Sequence, residues 1–472
     1  MSAAPLKNIR VMDLSRVFAM PFAGANLADL GAEVIKIDTC QAQFMDTTRT
    51  ITGPFPDNRT GELWWEQGGT FQNLNRGKRS LTLDLRSEQS QAIIKDLVRL
   101  CDVVLENFTP RVMARFGLDY ESLRAHKPDL IMVSNTGYGH SGPWSNFGAM
   151  ASALEPTHGT GAFMGYMEEG PDGRLIEGQV PNKMGNSYSD FMATWTALGG
   201  LMAALLRRAR TGQGQWIDLA MYQTGTTVIG QGLLDFAFNG SGTGSGTGKG
   251  TGRRTQRIGN RHPVWSPHGV YPCQGKDQWV AIAARDQDDW RALCLAMGQP
   301  ELAADPRFND PMDRRRHQEE LDAVIAAWTA QRTSYGVTAC LQDAGVPAGA
   351  VLNAKQALTD PQYVSRGFFE TVHNPPEVEL RPKGYVGRGW KFSGSQAQVR
   401  GPAPQLGEGN EYVLGELLGV DQGRIDAFAS DWTIGNTPEG GRAPAQVPLD
   451  EQVEIGSIAE YDADYLDHLP SI

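Results

Sequence analysis

Cysteine is scarce and scattered: the 472 residues hold five, Cys40, Cys101, Cys273, Cys294 and Cys340, with no CxxC pair and no ligand-spaced histidines beside them. That pattern speaks against a disulfide framework and against a structural zinc site, so no metal is expected. Basic charge is in deficit too, Lys+Arg 43 against Asp+Glu 54, a formal net charge of -11. Such a balance argues against nucleic acid as the main partner and leaves any phosphate site to a local basic pocket. Long apolar runs are missing, with no stretch of about 20 uninterrupted apolar residues and no apolar region following a basic one near Met1. No membrane partner is expected, and the cytoplasm is the expected location. The sequence also lacks a P-loop, a GxSxG elbow and a GxGxxG fingerprint in a suitable context. The first strand-to-helix turn, Ser15 to Pro21, has none of the glycines that a dinucleotide pyrophosphate needs, which argues against a nicotinamide enzyme.

What remains is an ordinary globular composition, 40% hydrophobic and 21% charged, over a length that suggests about two to three domains. Ile9 to Leu14 reads as a strand, Ala23 to Leu30 as a helix stopped by Gly31, and Glu33 to Ile37 as a second strand. The alternation continues with strands at Ser80–Leu85, Asp102–Leu105 and Leu130–Ser134 and a helix at Ser87–Leu100. It predicts a doubly wound α/β domain with a mainly parallel sheet. Asp190 to Ala209 reads as a helix, cationic at its end and broken by Thr211-Gly212-Gln213-Gly214, and Trp216 to Ala220 as one more strand. The glycine-rich run Asn239 to Gly252 is a linker or a lid. Beyond it, strands at His268–Tyr271 and Gln278–Ala283 and helices at Trp290–Met297 and Gln318–Ala330 suggest a smaller α+β domain. After Leu418 the chain turns acidic, with no Lys or Arg beyond Arg442, and reads as a solvated tail.

Two basic features stand out. Asn73 to Ser80 sets Arg76, Lys78, Arg79 and a glycine just before a strand, where a loop can approach phosphates closely. Arg115 lies just past the end of another strand. Either is an ordinary surface charge when taken alone; together they fit an anionic ligand at the carboxyl ends of the strands.

The opening Leu6 to Val17, then Leu27 to Asp38, Asn75 to Ser80 with Asp84-Leu85, Glu106-Asn107-Phe108, Leu201 to Leu205 with Thr211 to Gln215, and Gly259-Asn260-Arg261 resemble the class III CoA-transferases. This CaiB/BaiF-type group includes formyl-CoA transferase and the α-methylacyl-CoA racemases, and the resemblance runs from about Leu6 to about Gly419. It implies a Rossmann-like large domain assembled from both ends of the chain, with a smaller α+β domain inserted and two subunits interlocked as a dimer. The corresponding boundaries are 1–225 and 351–425 for the large domain, 226–350 for the linker and small domain, and 426–472 for the acidic tail.

The resemblance further implies that Asp190, in Asn186-Ser187-Tyr188-Ser189-Asp190-Phe191, is a carboxylate nucleophile, although without it the residue reads as a helix cap. Ala19, Asn75, Lys78, Asn107 and Arg115 fall where the family touches coenzyme A, which enters as the acyl-CoA substrate. Thr39 stands where members often carry an arginine, and Ala149-Met150 where many have Tyr-Asp or, in the racemases, His-Asp. The implied activity is transfer of CoA from an acyl-CoA to a carboxylic acid. The segments around Asp218 to Gln223 and Leu234 to Gly240 look closest to members acting on arylsuccinates or other bulky acids. Two rivals are an α-methylacyl-CoA racemase, with His158 standing in for the missing histidine, and a CoA-binding subunit of a heteromeric transferase.

Overall fold

The computed structural model describes residues 4–166, 184–185, 188–239 and 257–468. Asn186, Ser187 and all but the first residue of the glycine-rich run lie outside them. The chain divides into two compact units, one of Met1–Thr160, Lys183–Leu234 and Pro361–Ile472, the other of Gly161–Asn182 and Asp235–Asp360.

In the first unit the principal elements are β1 (Arg10–Asp13), α1 (Ala19–Asp29), β2 (Glu33–Asp38), α2 (Gly69–Asn75), β3 (Arg79–Thr82), α3 (Glu88–Val98) and β4 (Val103–Glu106). They continue with α4 (Val112–Arg115), β5 (Ile131–Thr136), α5 (Ala151–Thr157), α6 (Tyr188–Thr211), β6 (Gln215–Ala220) and α7 (Met221–Thr226). The six strands form one parallel sheet in the order β3-β2-β1-β4-β5-β6. The expected mixed α/β architecture with a Rossmann-like parallel sheet is therefore present.

The central strands β1, β4 and β5 are buried on both faces because they are apolar at successive positions, whereas the edge strand β6 is half exposed. Val11 is in register with Val34 and Val103, and Val103 with Ile131; these side chains pack under α1 and α6, with Ala23, Leu27, Ala197 and Leu201. Met12, Ile35, Val104 and Met132 form the alternate row, packed with Ile93, Ile94 and Leu97 of α3 on the opposite face. α6 is long and apolar enough to cross a membrane by length and composition, but its small apolar residues are spent in this core. The chain leaves β1 toward β2 and β3, then returns to β4 on the other side of β1. That reversal opens a crevice at the carboxyl ends of β1 and β4, the usual binding position in such sheets.

α1 begins at Ala19, four residues before the sequence expectation, since Pro21 is tolerated in a first turn where no intrahelical N–H bond is lost. The C-terminal part of this unit contributes β10 (Phe369–Val372) paired antiparallel with β11 (Lys383–Val386), and α11 (Gln422–Ser430). Ile425 and Phe428, one turn apart on α11, and Ile434 are buried in the core on the α3 face. The Gly435 N–H donates to Thr82 Oγ1 at 2.8 Å. The start of the stretch read as an acidic tail is thus part of the fold, and the predominantly exposed chain begins after it.

The second unit holds the antiparallel sheet β7 (His268–Pro272), β8 (Trp279–Ala283) and β9 (Ala348–Val351) in the order β7-β8-β9. Helices α8 (Gln287–Ala296), α9 (Gln318–Thr329) and α10 (Ser334–Asp343) cover it, around a core that includes Trp290, Phe308, Leu321, Ile325 and Leu341.

Candidate active site

A cavity of about 510 Å³ lies in the first unit at the carboxyl ends of the parallel strands. The loop after β1 lines it with Val17 and Phe18, the loop after β4 with Asn107 to Pro110, β5 and its exit with Asn135 to Tyr138, and α5 with Ala151 and Leu154. Asp190, from the first turn of α6, also faces it. Asn107 shapes this wall by accepting from the Arg16 N–H at 2.8 Å and donating back to the Arg16 carbonyl at 2.7 Å, which fastens the β1 loop to the end of β4. Gly137 is required where β5 leaves the sheet, because a Cβ there would stand 2.2 Å from the Ala149 Cβ.

Asp190 is half-buried. Burial pushes its carboxyl up from an ordinary 3.8 to about 7; a hydrogen bond from the Ala19 backbone opposes the shift and the nearby Glu155 reinforces it. Ala19 opens α1, whose Phe18 cap supplies no side-chain bond, so its N–H is free to serve the carboxylate. The two helices are held in that relation by Thr194, whose hydroxyl donates to the Ala19 carbonyl at 2.7 Å and reaches the Asp190 carbonyl at 3.0 Å. Phe22 packs edge-on against Phe191 at 5.6 Å. A carboxylate held this way, basic and facing a cavity rather than a cation, can act as a nucleophile.

Of the other residues expected here, Asn107 reaches the cavity, and Ala19 contributes its backbone at the carboxylate. Lys78 and Asn75 do not line the cavity. Lys78 is buried, and its ammonium donates to Asp13 Oδ2 at 2.7 Å, the Pro21 carbonyl at 2.8 Å and Asn75 Oδ1 at 2.8 Å. Burial pulls it down to about 8 against the stabilising Asp13 charge. All three of its donors are used inside the protein, leaving none for a phosphate. Arg76 is buried on Asp29 at 2.8 Å, so of the three cations in that loop only Arg79 has an exposed side chain. The signal missed in the sequence is Asp13: a carboxylate at the end of a buried strand needs a cation, and the loop supplies it. Arg115 is exposed at the end of α4. Thr39 is buried and bonded to Gln41.

His158 does not line the cavity. Its ring is buried, with a lowered pKa from that burial, and lies so close to Gly225 that a Cβ there would meet it at 2.2 Å. Ala149 and Met150 do line the cavity. Two aromatic residues in the lining, Tyr138 and Phe147, were not foreseen; they pack edge-on at 6.0 Å, and Trp144, outside the lining, packs against both. Asn135 was also missed; it faces the cavity with a buried Oδ1 that has no partner among the described residues.

A family model described as CoA-transferase family III matches residues 6–410. The chain is 35% identical over 418 residues to a succinyl-CoA–D-citramalate CoA-transferase of Chloroflexus aurantiacus, covering 89% of this chain and 95% of that one. It is 32% identical to a succinate–glutarate CoA-transferase of Agrobacterium fabrum, covering 89% and 97% respectively. Among solved structures, a CaiB/BaiF family protein from Brucella suis superposes with a TM-score of 0.73 at 30% identity, covering 88% of this chain and all of that one.

Proposed function

Because this chain belongs to CoA-transferase family III, and is a transferase acting between an acyl-CoA and an acid, we propose that Asp190 carries the acyl group during the exchange. The observation that carries this reading is the half-buried Asp190 carboxylate, which faces the cavity from the first turn of α6. The Asp190 oxygen attacks the donor thioester carbonyl, the C–S bond breaks, and CoA leaves as thiolate, giving a mixed anhydride. The thiolate then attacks the aspartyl carbonyl and releases the donor acid, leaving an aspartyl-CoA thioester. The acceptor carboxylate runs the same two steps in reverse, restoring Asp190 and forming the new acyl-CoA. Each intermediate stays activated as long as water is kept out. The Ala19 N–H is positioned to stabilise negative charge as the aspartyl carbonyl becomes tetrahedral.

Asn107 and Arg115 are the residues proposed for CoA, Asn107 at the cavity wall and Arg115 as an exposed cation for the anionic nucleotide end. The relatives' names pair succinyl-CoA or succinate with D-citramalate and with glutarate, which supports a dicarboxylic acid as acceptor. The aromatic lining of Tyr138 and Phe147 supports one with a bulky or aryl substituent, such as an arylsuccinate. The inserted arrangement of the smaller domain and the interlocked homodimer are likewise proposed, on the resemblance to this family.

The test is to incubate the protein with succinyl-CoA alone, add hydroxylamine, and map the modified residue by mass spectrometry. A hydroxamate on Asp190 is expected, and its absence from a fully active protein would overturn the assignment. Offering glutarate, citramalate and phenylsuccinate as acceptors then ranks these acids directly.

A further inference from the structure

Glu155 lies on α5 behind the cavity wall that Leu154 forms, without itself lining the cavity. It is completely buried. One carboxylate oxygen accepts the backbone N–H of Tyr188, the first residue of α6, at 2.9 Å. The other, Oε2, is buried with no hydrogen-bond partner among the described residues. A buried carboxylate is ordinarily matched by a cation or by several donors, as Asp13 and Asp29 are in the same unit. Among the described residues Glu155 has one donor and no cation, and it stands beside the N-terminal turn that presents Asp190.

We propose that Glu155 is a positioning residue for the transfer reaction: it pins the first turn of α6 and sets a second carboxylate beside Asp190, so that acylation of Asp190 relieves a charge repulsion. This rests on the reading of Asp190 as the acyl carrier. When the Asp190 oxygen bonds to the acyl carbon and the electron pair of the broken C–S bond leaves on the CoA thiolate, the aspartyl group becomes neutral. The repulsion present in the free enzyme is then absent from the acyl-enzyme, which shifts the equilibrium toward acylation.

The groups facing this pair are few. α1 presents the Ala19 N–H to Asp190, α6 presents the Tyr188 N–H to Glu155, and His158, at the end of α5, interacts electrostatically with Glu155. The acid of β6, Asp218, is taken up by His140 at 3.0 Å. Burial is the main cause of the raised Asp190 carboxyl, and Glu155 adds to it.

The experiment compares the wild type with Glu155→Gln, which keeps an oxygen for the Tyr188 N–H and removes the charge. Two quantities are read: the acid limb of kcat/KM against pH, and the fraction of enzyme trapped by hydroxylamine at fixed succinyl-CoA. The limb should move about one unit to lower pH and the acyl-enzyme ratio should fall about tenfold. Glu155→Asp, which keeps the charge but draws it back by one methylene, should shift the limb the same way by less, and it decides the matter if the Gln variant is insoluble. A change in rate or melting temperature with the limb unmoved makes Glu155 a helix cap only and overturns the inference. A wild type that yields no Asp190 adduct overturns instead the reading beneath it.

Discussion

Asp13 and Asp190 belong to the same unit, and both are withdrawn from water at the carboxyl-end side of its parallel sheet. Asp13 closes β1, bonded to the Ser15 N–H at 3.0 Å and matched by the Lys78 ammonium at 2.7 Å. Among the described residues Asp190 meets the Ala19 backbone and no cation, and Glu155 is its neighbouring carboxyl group. The first arrangement satisfies a charge and locks the β1 turn to the loop before β3. The second leaves a charge unsatisfied next to a cavity, and burial raises the carboxyl to about 7, the condition under which it is most basic while still ionised at neutral pH. An acid matched by a cation is part of the frame; an unmatched one that faces a cavity is where chemistry can be done.

The largest effect that would sharpen this contrast is at Asp190 itself. Asp190→Asn keeps the shape and removes the oxygen proposed as nucleophile, so CoA-transfer turnover should fall by about a thousandfold or more while CoA binding survives. Stability should move the other way. Between its ordinary 3.8 and about 7 the native Asp190 holds a proton that the unfolded chain has released, so stability declines as pH rises through that window. The Asn variant lacks this penalty and should be more stable at pH 8, by on the order of 2–4 kcal/mol, but not at pH 3. Urea melts at the two pH values check it. Wild-type kcat/KM should likewise drop about tenfold per unit below pH 7, where the carboxylate is lost.

Lys78→Met tests the other carboxylate. Leaving Asp13 buried without its cation should cost about 3–5 kcal/mol, read as a loss of urea midpoint, while the KM of the folded fraction for its acyl-CoA donor stays near wild type. A soluble, stable variant with a sharply raised KM would return Lys78 to the phosphates and dissolve the comparison.

A smaller effect is expected where α1 crosses the Lys78–Asp13 pair. A Cβ at Gly24 would lie 2.7 Å from Asp13 Oδ2 and 3.0 Å from Lys78 Nζ. Gly24→Ala should therefore destabilise by about 1–3 kcal/mol through overpacking, despite the better helix propensity of alanine. The smallest change in stability is expected at exposed Arg115: Arg115→Ala should alter it by less than about 0.5 kcal/mol, yet raise the KM of several CoA donors by a similar factor, up to about tenfold.

The periodicity of the sequence is sufficient to determine the frame. Apolar strands alternating with helices admit little except a parallel sheet covered on both faces, and the β1–β6 sheet has that form. Asp190 at the start of a helix was likewise legible, because a polar residue ahead of a long run of small and apolar residues marks a helix N-terminus. What each charge does was decided only by tertiary structure. Lys78, three residues after Asn75, reads as a phosphate ligand until the crossing of α1 over β1 brings Asp13 and the Pro21 carbonyl around it. Glu155 carries no signal in sequence at all, since its distance from Tyr188 along the chain says nothing of the hydrogen bond that joins them. Local pattern sets which elements form, because backbone bonding and burial are short-range demands. Whether a buried carboxylate meets a cation, an N–H or a second carboxylate depends on which distant segments the fold brings against it.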